Sequence, residues 1–363
     1  MTLRNEKILY IGGFELPDKN AAAQRVVGIA KSLRELKYEV VFVNALKKYE
    51  GILTSKEYYG FQCIEYKREN KLDYLIGART IISYIGTIAP KIVIAYNYPA
   101  FALNRIRRYC KKNGIKCIAD VTEWYVATGR NLAYRFIKGI DVTFRMKYVH
   151  KHVDSVIAIS RFLYDYYKEY VPTVLIPPTV DILDTKWNIE VKRKSEVKSF
   201  VYAGSPSMLK ERLDLIVRAI EACAKIERLV FNVVGITKDE FIKMYSWKNG
   251  LPKEVIFWGR LSHVDAIRIV KEANWSIIIR ENNTVVKAGF PTKLVESISC
   301  GTPVIVNEFS NVKDYLTYDN SIVVENTRDL LKYIEEACEK ISIVDRNLFD
   351  YHKYSNLLAG LLE

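Results

Sequence analysis

The sequence predicts an α/β protein with two domains, each built on a parallel sheet. Short apolar runs rich in β-branched residues, such as Lys7 to Ile11 and Trp275 to Arg280, are typical of strands in parallel sheets. Helical patterns alternate with these runs, and the helix predicted from Asn20 to Leu36 completes a βαβ unit with the first two strands. The chain has 363 residues, which is enough for two domains of ordinary size.

Composition excludes several classes of protein. Hydrophobic residues make up 49% of the chain, as expected for a globular protein and not for a disordered one. No run of about 18 apolar residues occurs, so we expect no membrane span. The N-terminal residues lead directly into a predicted strand, so we expect no signal peptide. The six cysteines are scattered without metal-ligand spacing, so we expect reduced packing thiols in a cytoplasmic protein. They are Cys63, Cys110, Cys117, Cys223, Cys300 and Cys338.

The positive charge is concentrated in the first half of the chain. Residues 1–180 contain 29 Lys and Arg against 16 Asp and Glu, whereas residues 181–363 contain 26 of each. The first half therefore carries the whole formal net charge of +13. Such a concentration indicates an anionic partner. Nucleic acid, anionic lipid and a phosphate-bearing acceptor all fit the charge, but no motif or aromatic platform for nucleic acid occurs.

Candidate site residues of the first half lie where predicted strands end. Gly12 and Gly13 follow the first strand, although the dinucleotide-binding pattern GxGxxG is missing. Asp120 and Glu123 follow the strand predicted from Ile115 to Ala119, and ligands bind at such strand ends in α/β sheets. Asp120 is equally suited to cap the next helix.

Three other polar residues of the first half are predicted to lie on the surface: Arg25, His150 and His152. The two histidines are two residues apart, which is the wrong helical spacing for a shared metal ion.

The segment from Gly129 to His152 interleaves basic and aromatic residues on predicted helices. This pattern suits a surface that lies at a membrane interface, and it suits equally a domain face packed on its neighbour. The residues concerned are Arg130, Tyr134, Arg135, Phe136, Lys138, Phe144, Arg145, Lys147, Tyr148 and Lys151.

The most informative stretch of the second half is predicted to be a strand, a loop from Glu281 to Phe290, a helix and a second strand. Pro291 suits the first turn of the helix, whose free N–H groups and dipole would attract a diphosphate. Lys293 would add a full charge, and Glu296 lies one turn further on the same face, where its carboxylate could accept the hydroxyls of a ribose. The alternative is a solvated ion pair between these two side chains on an ordinary amphipathic helix.

The run GFPTKLVESISCGTPVIV resembles the nucleotide-sugar signature of family 4 retaining glycosyltransferases, which have the GT-B fold. The matching residues are Gly289, Phe290, Glu296, Gly301, Thr302 and Pro303. The resemblance implies that Glu296 holds the donor ribose, with Pro291, Thr292 and Lys293 beside it. The first glutamate of the signature falls on Ala288 and is absent. We expect Glu281 to take its place.

The resemblance also implies a diphosphate site after the first strand of the second half. The family has Gly-Arg there, followed by a lysine five residues after the arginine. Gly204 and Lys210 match this pattern, whereas Ser205 replaces the arginine. Arg280, at a nearby strand end, is our candidate for the missing cation.

Further site residues are implied by the same resemblance. Gly235, Arg260 and Leu261 would line the base pocket, whereas Gly12 and Gly13 would approach the donor phosphates and the acceptor. Glu123 or Asp120 would orient the acceptor hydroxyl.

The predicted fold is therefore GT-B, with two Rossmann-like domains facing a central cleft. Residues 1–178 would bind the acceptor and 179–340 the nucleotide sugar, and the helix in 341–363 would cross back to the N-terminal domain. The run VLIPPTVD resembles the family's hinge. The charged stretch from Lys186 to Lys198 is predicted to be linker or surface.

The predicted function is retaining transfer of a sugar from a nucleoside diphosphate sugar to an acceptor hydroxyl. Lys210, Lys293, Arg280 and the helix N-terminus would stabilise the leaving group in place of a metal ion. No Asp-x-Asp motif occurs, and we expect no cofactor, because the nucleotide sugar is a substrate. The basic first half fits a polyprenyl-diphosphate-linked glycan at the inner membrane face, as in bacterial surface polysaccharide synthesis. A UDP-sugar epimerase of the same fold and a catalytically silent binding subunit are the alternatives.

Overall fold

The computed structural model describes residues 6–17, 20–46, 54–67, 72–126, 131–191, 197–224, 228–248 and 250–362. Arg130 and the glycine before it lie outside the described residues, as do the side chains of residues 133 and 134. The chain divides into two compact units. The first comprises Met1–Thr179 with Tyr351–Glu363, and the second comprises Val180–Asp350. Both are α/β units on largely parallel sheets, which confirms the predicted fold class.

The first unit contains an eight-stranded sheet with the order β3-β4-β2-β1-β5-β6-β7-β8. Neighbouring strands run parallel except β3 and β4, which are antiparallel. The strands are β1 Lys7–Gly12, β2 Glu39–Leu46, β3 Thr54–Tyr58, β4 Phe61–Lys67, β5 Ile92–Tyr96, β6 Lys116–Val121, β7 Ser155–Ala158 and β8 Thr173–Leu175. The helices between them are α1 Ala21–Glu35, α2 Arg79–Ile88, α3 Ala100–Lys112, α4 Leu132–Lys147 and α5 Arg161–Tyr167.

The second unit contains a six-stranded, fully parallel sheet with the order β11-β10-β9-β12-β13-β14. Its strands are β9 Lys198–Ala203, β10 Leu229–Val234, β11 Val255–Gly259, β12 Trp275–Ile278, β13 Val304–Asn307 and β14 Ser321–Val324. Its helices are α6 Leu213–Cys223, α7 Lys238–Tyr245, α8 His263–Glu272, α9 Thr284–Ala288, α10 Thr292–Ser299 and α11 Leu330–Glu339. The order reverses at β9 and β12, so the carboxyl ends of these two strands form the switch point where α/β sheets bind ligands.

One prediction about the second unit was wrong. The stretch from Glu281 to Phe290, predicted as a loop, contains the short helix α9, because the Asn283 side chain caps it by accepting from the Val286 N–H at 3.0 Å. The stretch from Lys186 to Lys198, predicted as linker or surface, is exposed or half-buried over its described residues, 186–191 and 197–198, except for the buried Trp187.

The last helix, α12 Ser355–Leu362, belongs to the core of the first unit. Leu358, Leu361 and Leu362 are buried in the same hydrophobic cluster as residues of α1 and β1. The first unit is thus built from both ends of the described chain.

Two polar residues of the first unit, predicted on the surface, are buried. Arg25 packs inside the unit because it pairs with a buried carboxylate, described below. His150 is enclosed, and its Nδ1 atom lies 3.1 Å from the Tyr167 hydroxyl. Burial, with the nearby charge of Arg145, lowers the pKa of His150 to about 3, so this histidine is neutral. His152 is exposed, as predicted.

All six cysteines are buried, and none of them forms a disulfide. Across the described residues, we find no helix with the length and apolarity needed to cross a bilayer.

Candidate functional site

Two glycines bring three elements together at the carboxyl end of the second sheet. Gly204 follows β9 with φ +133°, and Gly235 follows β10 with φ +101°. A Cβ atom on Gly204 would lie 2.6 Å from Cε of Lys293, in the first turn of α10. A Cβ atom on Gly235 would lie 2.5 Å from the Gly204 carbonyl carbon. Both positions therefore require glycine, and the start of α10 lies directly against the end of β9.

A buried carboxylate, Glu211, joins two cations at this place. Its Oε1 atom lies 2.9 Å from Nη2 of Arg280 and 3.2 Å from Nζ of Lys293. Its Oε2 atom accepts from the Ser207 N–H at 2.9 Å. One carboxylate thus serves two cations, and the cluster carries a net positive charge inside the protein.

Backbone pairing holds the cluster in place. Arg212 N donates to the Ile279 carbonyl at 2.9 Å, and Glu281 N donates to the Lys210 carbonyl at 2.9 Å. The loop after β9 therefore runs antiparallel to the chain leaving β12, with an isolated bridge between Glu211 and Arg280. This pairing holds the backbones of Glu211 and Arg280 side by side, where their side chains form the ion pair.

The electrostatics of the cluster follow from burial and charge. Burial alone would raise the pKa of Glu211, but the charges of Lys293 and Arg280 outweigh it and the pKa is lowered. Burial lowers the pKa of Lys293, and the attraction of Glu211 offsets only part of this effect. Nε of Arg280 has no hydrogen-bond partner among the described residues.

The start of α10 carries the second half of the candidate site. Pro291 occupies the N-cap, and among the described residues no side chain caps this helix. Glu296 lies one turn beyond Lys293, and its Oε1 atom is 3.1 Å from Nε2 of His263, the first residue of α8. The Lys293 side chain is 12% exposed and pairs with Glu211, so the alternative of a solvated pair between Lys293 and Glu296 was wrong.

Two positions of the signature are packed into the core. Phe290 packs against the rings of Tyr315 and Phe349, with centroid distances of 5.3 and 6.0 Å. It therefore anchors the loop before α10. Ala288, at the place of the absent glutamate, is completely buried at the end of α9.

Other predicted residues of the second unit lie near the cluster or at its margin. Glu281 pairs with Arg212 at 3.1 Å, which engages the carboxylate that we expected to contact the sugar. Arg260 is largely exposed and pairs with Glu240 at 2.9 Å. Leu261 packs against a separate hydrophobic cluster that includes Ile267 and Val270 of α8. Ser205 is exposed beside Gly204.

The candidate residues of the first unit behave differently from each other. Asp120 is fully buried, accepts from the Tyr10 hydroxyl at 2.5 Å and pairs with Arg25 at 3.0 Å. Arg25 also donates to the carbonyls of Ile176 and Pro177, both at 2.7 Å. Asp120 therefore neither caps a helix nor offers a carboxylate to an acceptor, because Arg25 and Tyr10 occupy it.

Glu123 is the partly exposed acidic residue after β6. Gly12 ends β1 in a tight place, where a Cβ atom would lie 2.9 Å from the Phe14 ring and 3.1 Å from Cβ of Tyr96. Gly13 is exposed.

Residues 186–345 match the model of the family described as glycosyl transferases group 1. The matched range lies within the second unit, Val180–Asp350. The cluster at Glu211 and two of the residues predicted to bind the donor, Lys293 and Glu296, lie inside the matched range. No curated protein sequence matches the chain.

Solved structures extend the comparison to almost the whole chain. Sucrose-phosphate synthase from Thermosynechococcus elongatus is 14% identical, with a TM-score of 0.70 and 98% of each chain covered. Anabaena HepE in complex with UDP-glucose is 12% identical, with a TM-score of 0.67, covering 98% of this chain and 99% of that one. The lipopolysaccharide outer core galactosyltransferase WaaB is 15% identical, with a TM-score of 0.65, covering 97% and 99%. The chain therefore has the GT-B glycosyltransferase fold, as the sequence predicted.

Sequence reasoning missed Glu211 and His263. Glu211 directly follows Lys210, and an acidic residue at the start of a helix is commonly a dipole partner. What makes Glu211 part of the site is the adjacency of β9 and β12, which are separated by more than seventy residues in the chain. His263 carries no motif, and its contact with Glu296 depends on how α8 and α10 pack.

Proposed function

We propose that this protein is a family 4 retaining glycosyltransferase that transfers a hexose from a nucleoside diphosphate sugar to an acceptor hydroxyl. The observation that carries the proposal is the arrangement at the start of α10. There Lys293 lies against Gly204, the buried cation Arg280 lies beside it, and Glu296 follows one turn later. A nucleoside diphosphate carries complementary groups in the same order, with the negative phosphates first and the ribose hydroxyls next.

Donor binding would use the net positive charge of the cluster. The diphosphate would approach Lys293 and the uncapped N–H groups of α10, with Arg280 and Lys210 contributing from the paired segments. The carboxylate of Glu296 would accept two hydrogen bonds from the ribose. His263, bonded to one oxygen of Glu296, would hold this carboxylate in one orientation.

Transfer would break the bond between the sugar C1 atom and the β-phosphate oxygen, and form a bond from C1 to the acceptor oxygen on the same face. Negative charge develops on the departing diphosphate in the transition state, and the cations would stabilise that charge most strongly at this stage. They would serve in place of a metal ion, and the reaction uses no cofactor besides its substrates. The acceptor hydroxyl would pass its proton to the departing β-phosphate oxygen, and Glu123 is the carboxylate that we assign to orient this hydroxyl.

A lipid-linked glycan of bacterial surface polysaccharide synthesis is the acceptor class that we favour. The whole net charge lies in residues 1–180, as a phosphate-bearing lipid carrier would require. WaaB, a structural neighbour, is a lipopolysaccharide outer core galactosyltransferase, and HepE was solved with UDP-glucose. The protein would work in the cytoplasm, at the inner membrane face.

The second candidate is a catalytically silent binding subunit. Three observations favour it: Ala288 is buried where the family has a carboxylate, Ser205 stands where it has an arginine, and Glu211 already neutralises one cation. Such a subunit would bind nucleotides weakly or not at all.

A thermal-shift screen of the purified protein against UDP, GDP, dTDP and CDP, with and without EDTA, separates the two candidates. A ligand present at 100 times its Kd stabilises the fold by about 2.7 kcal/mol. We expect one nucleotide to raise the Tm, with no effect of EDTA. Glu296→Ala should abolish this shift, whereas Glu272→Ala, an exposed glutamate at the far end of α8, should retain it. No shift with any nucleotide would contradict donor binding and favour the silent subunit.

A further inference from the structure

The first unit exposes an unusual number of large apolar side chains on one helix. On α4, Leu132, Phe136, Ile137 and Ile140 point to solvent, and the first three are 76%, 71% and 67% exposed. The spacing of four residues from 132 to 136 to 140 places them on one face of the helix. A soluble monomer normally covers such a face, so contiguous exposed apolar side chains indicate a binding surface.

Neighbouring elements extend this face. The Asp141 carboxylate on α4 accepts from the Ala100 N–H at 2.8 Å, which seats the start of α3 against α4. The exposed Phe101 then packs on the ring of Phe144 at 5.1 Å. Arg105, one turn further along α3, donates to the carbonyl of Ile76 at 2.9 Å.

Ile76 is exposed and lies on the π-helical turn Asp73–Gly77. We define the α4 surface by its six exposed apolar residues. They are Ile76, Phe101, Leu132, Phe136, Ile137 and Ile140.

The α4 surface is bordered by positive charge. Helix α3 carries five basic residues and no acidic one, and α4 carries four basic residues and Asp141 alone. Asp141 is engaged by Ala100 N–H and pairs with Arg145 at 3.4 Å. The other acidic residue nearby, Asp73, caps α2 by accepting from the N–H groups of Arg79 and Thr80. Asp73 and Asp141 are therefore engaged by groups of the same unit, and the charge that borders the α4 surface is positive.

We propose that the α4 surface docks this protein on an anionic lipid bilayer, with the N-terminal half of α4 lying in the interfacial layer. Apolar side chains flanked by arginine and lysine are what an interfacial helix requires, because the former enter the acyl boundary while the latter meet anionic headgroups. A second copy of the chain is a poorer occupant, because it would bring the same positive border against this one. The docking goes beyond sugar transfer and does not depend on it.

Part of the basic and aromatic segment from Gly129 to His152 is buried and is therefore unavailable for docking. Arg145 is buried and donates to the carbonyls of Asn97 and Tyr98, and Met146 and His150 are buried as well. The C-terminal half of α4 therefore contributes buried side chains to the fold, and the exposed apolar side chains of α4 lie between Leu132 and Ile140.

The test is co-sedimentation of the full chain with vesicles of phosphatidylglycerol and phosphatidylcholine, compared with phosphatidylcholine alone. We expect the wild type to bind the anionic vesicles, less so as salt is raised. Phe136→Ser with Ile137→Ser should lower the vesicle affinity by about tenfold or more, because both side chains leave the acyl boundary. Arg108→Glu with Arg135→Glu should remove the preference for phosphatidylglycerol.

The matched control is Ile341→Ser with Ile343→Ser, since these isoleucines of the second unit are 90% and 78% exposed. It should bind vesicles like the wild type. Phe136→Trp should show a blue-shifted emission with anionic vesicles.

Three outcomes would overturn the proposal. The first is a wild type that fails to sediment with anionic vesicles, and the second is a control that loses binding as much as the α4 variant does. The third is a wild-type dimer in solution that the α4 double variant converts to a monomer, because the surface would then bind a second copy. Nucleotide thermal shifts of the variants report on the donor site separately, so a failure of docking is distinguishable from a failure of the proposed transferase activity.

Discussion

Glu211→Gln should destabilise the second unit strongly, although the change is nearly isosteric. Glu211 is 2% exposed and faces Arg280 at 2.9 Å and Lys293 at 3.2 Å. Removing one partner of a buried ion pair typically costs about 3–5 kcal/mol, because the remaining charge is left uncompensated. Glutamine keeps an oxygen that can accept from Ser207 N–H, so we expect a loss near the lower end, about 3 kcal/mol.

Urea unfolding followed by tryptophan fluorescence measures this loss. The second unit contains four of the five tryptophans, so the signal reports mainly on it. They are Trp187, Trp247, Trp258 and Trp275. A matched control is Glu308→Gln, which affects an exposed pair with Lys313 and should change the free energy of unfolding by less than about 0.5 kcal/mol.

A double variant makes the reasoning refutable. Glu211→Gln with Lys293→Met removes one of the two stranded cations, so it should recover part of the stability lost in the single variant. Added pyrophosphate should stabilise Glu211→Gln more than the wild type, because the anion replaces the missing negative charge. If the single variant is as stable as the wild type, or if the losses of the two changes simply add, the cations are not held by Glu211 as described.

The other predictions concern activity and binding. Glu296→Ala should lower transfer by about a hundredfold or more in a radiolabelled-sugar assay, since two hydrogen bonds to a charged group are each worth about 1.5–3 kcal/mol; an active variant would refute the ribose assignment. Lys210→Ala and Arg280→Ala should each weaken nucleoside diphosphate binding in calorimetry, and unchanged affinity in both would remove them from the site. Because burial lowers the pKa of Lys293, this side chain loses its charge at a lower pH than an ordinary lysine. Donor affinity should therefore fall with rising pH, by about tenfold for each pH unit above that pKa. Lys293→Arg should flatten this dependence.

The local pattern of the sequence was sufficient to predict the elements of the second unit. The apolar run from Trp275 to Arg280 predicted strand β12, and Pro291 marked the start of α10 within one residue. These signals are local, because strand and helix periodicity and the missing N–H of proline act within a few residues. The one-turn helix α9 escaped, since its signal was a single capping asparagine in an otherwise polar stretch.

The ion pairs could not be predicted, because they join elements distant in the chain. Asp120 and Arg25 are 95 residues apart, and Glu211 and Arg280 are 69 apart. A lone Arg on a helix is usually exposed, and nothing near Arg25 in sequence reveals the carboxylate on β6 that buries it. The same limit explains why the sequence offered Lys293 only Glu296, on its own helix, as the alternative partner, whereas Glu211 lies on another element.

The packing of α12 has a consequence for how this protein is made and dissected. The second unit, residues 180–350, is in effect an insertion in the first, whose core stays open until residues 351–362 have been synthesised. During synthesis, the second unit would therefore be complete while the first unit still lacks a helix. This reverses the usual order, in which the N-terminal domain folds first. A fragment that stops at residue 179 would leave apolar side chains of α1 without Leu358 and Leu361. The second unit, with both its ends at one junction, is the part to express alone.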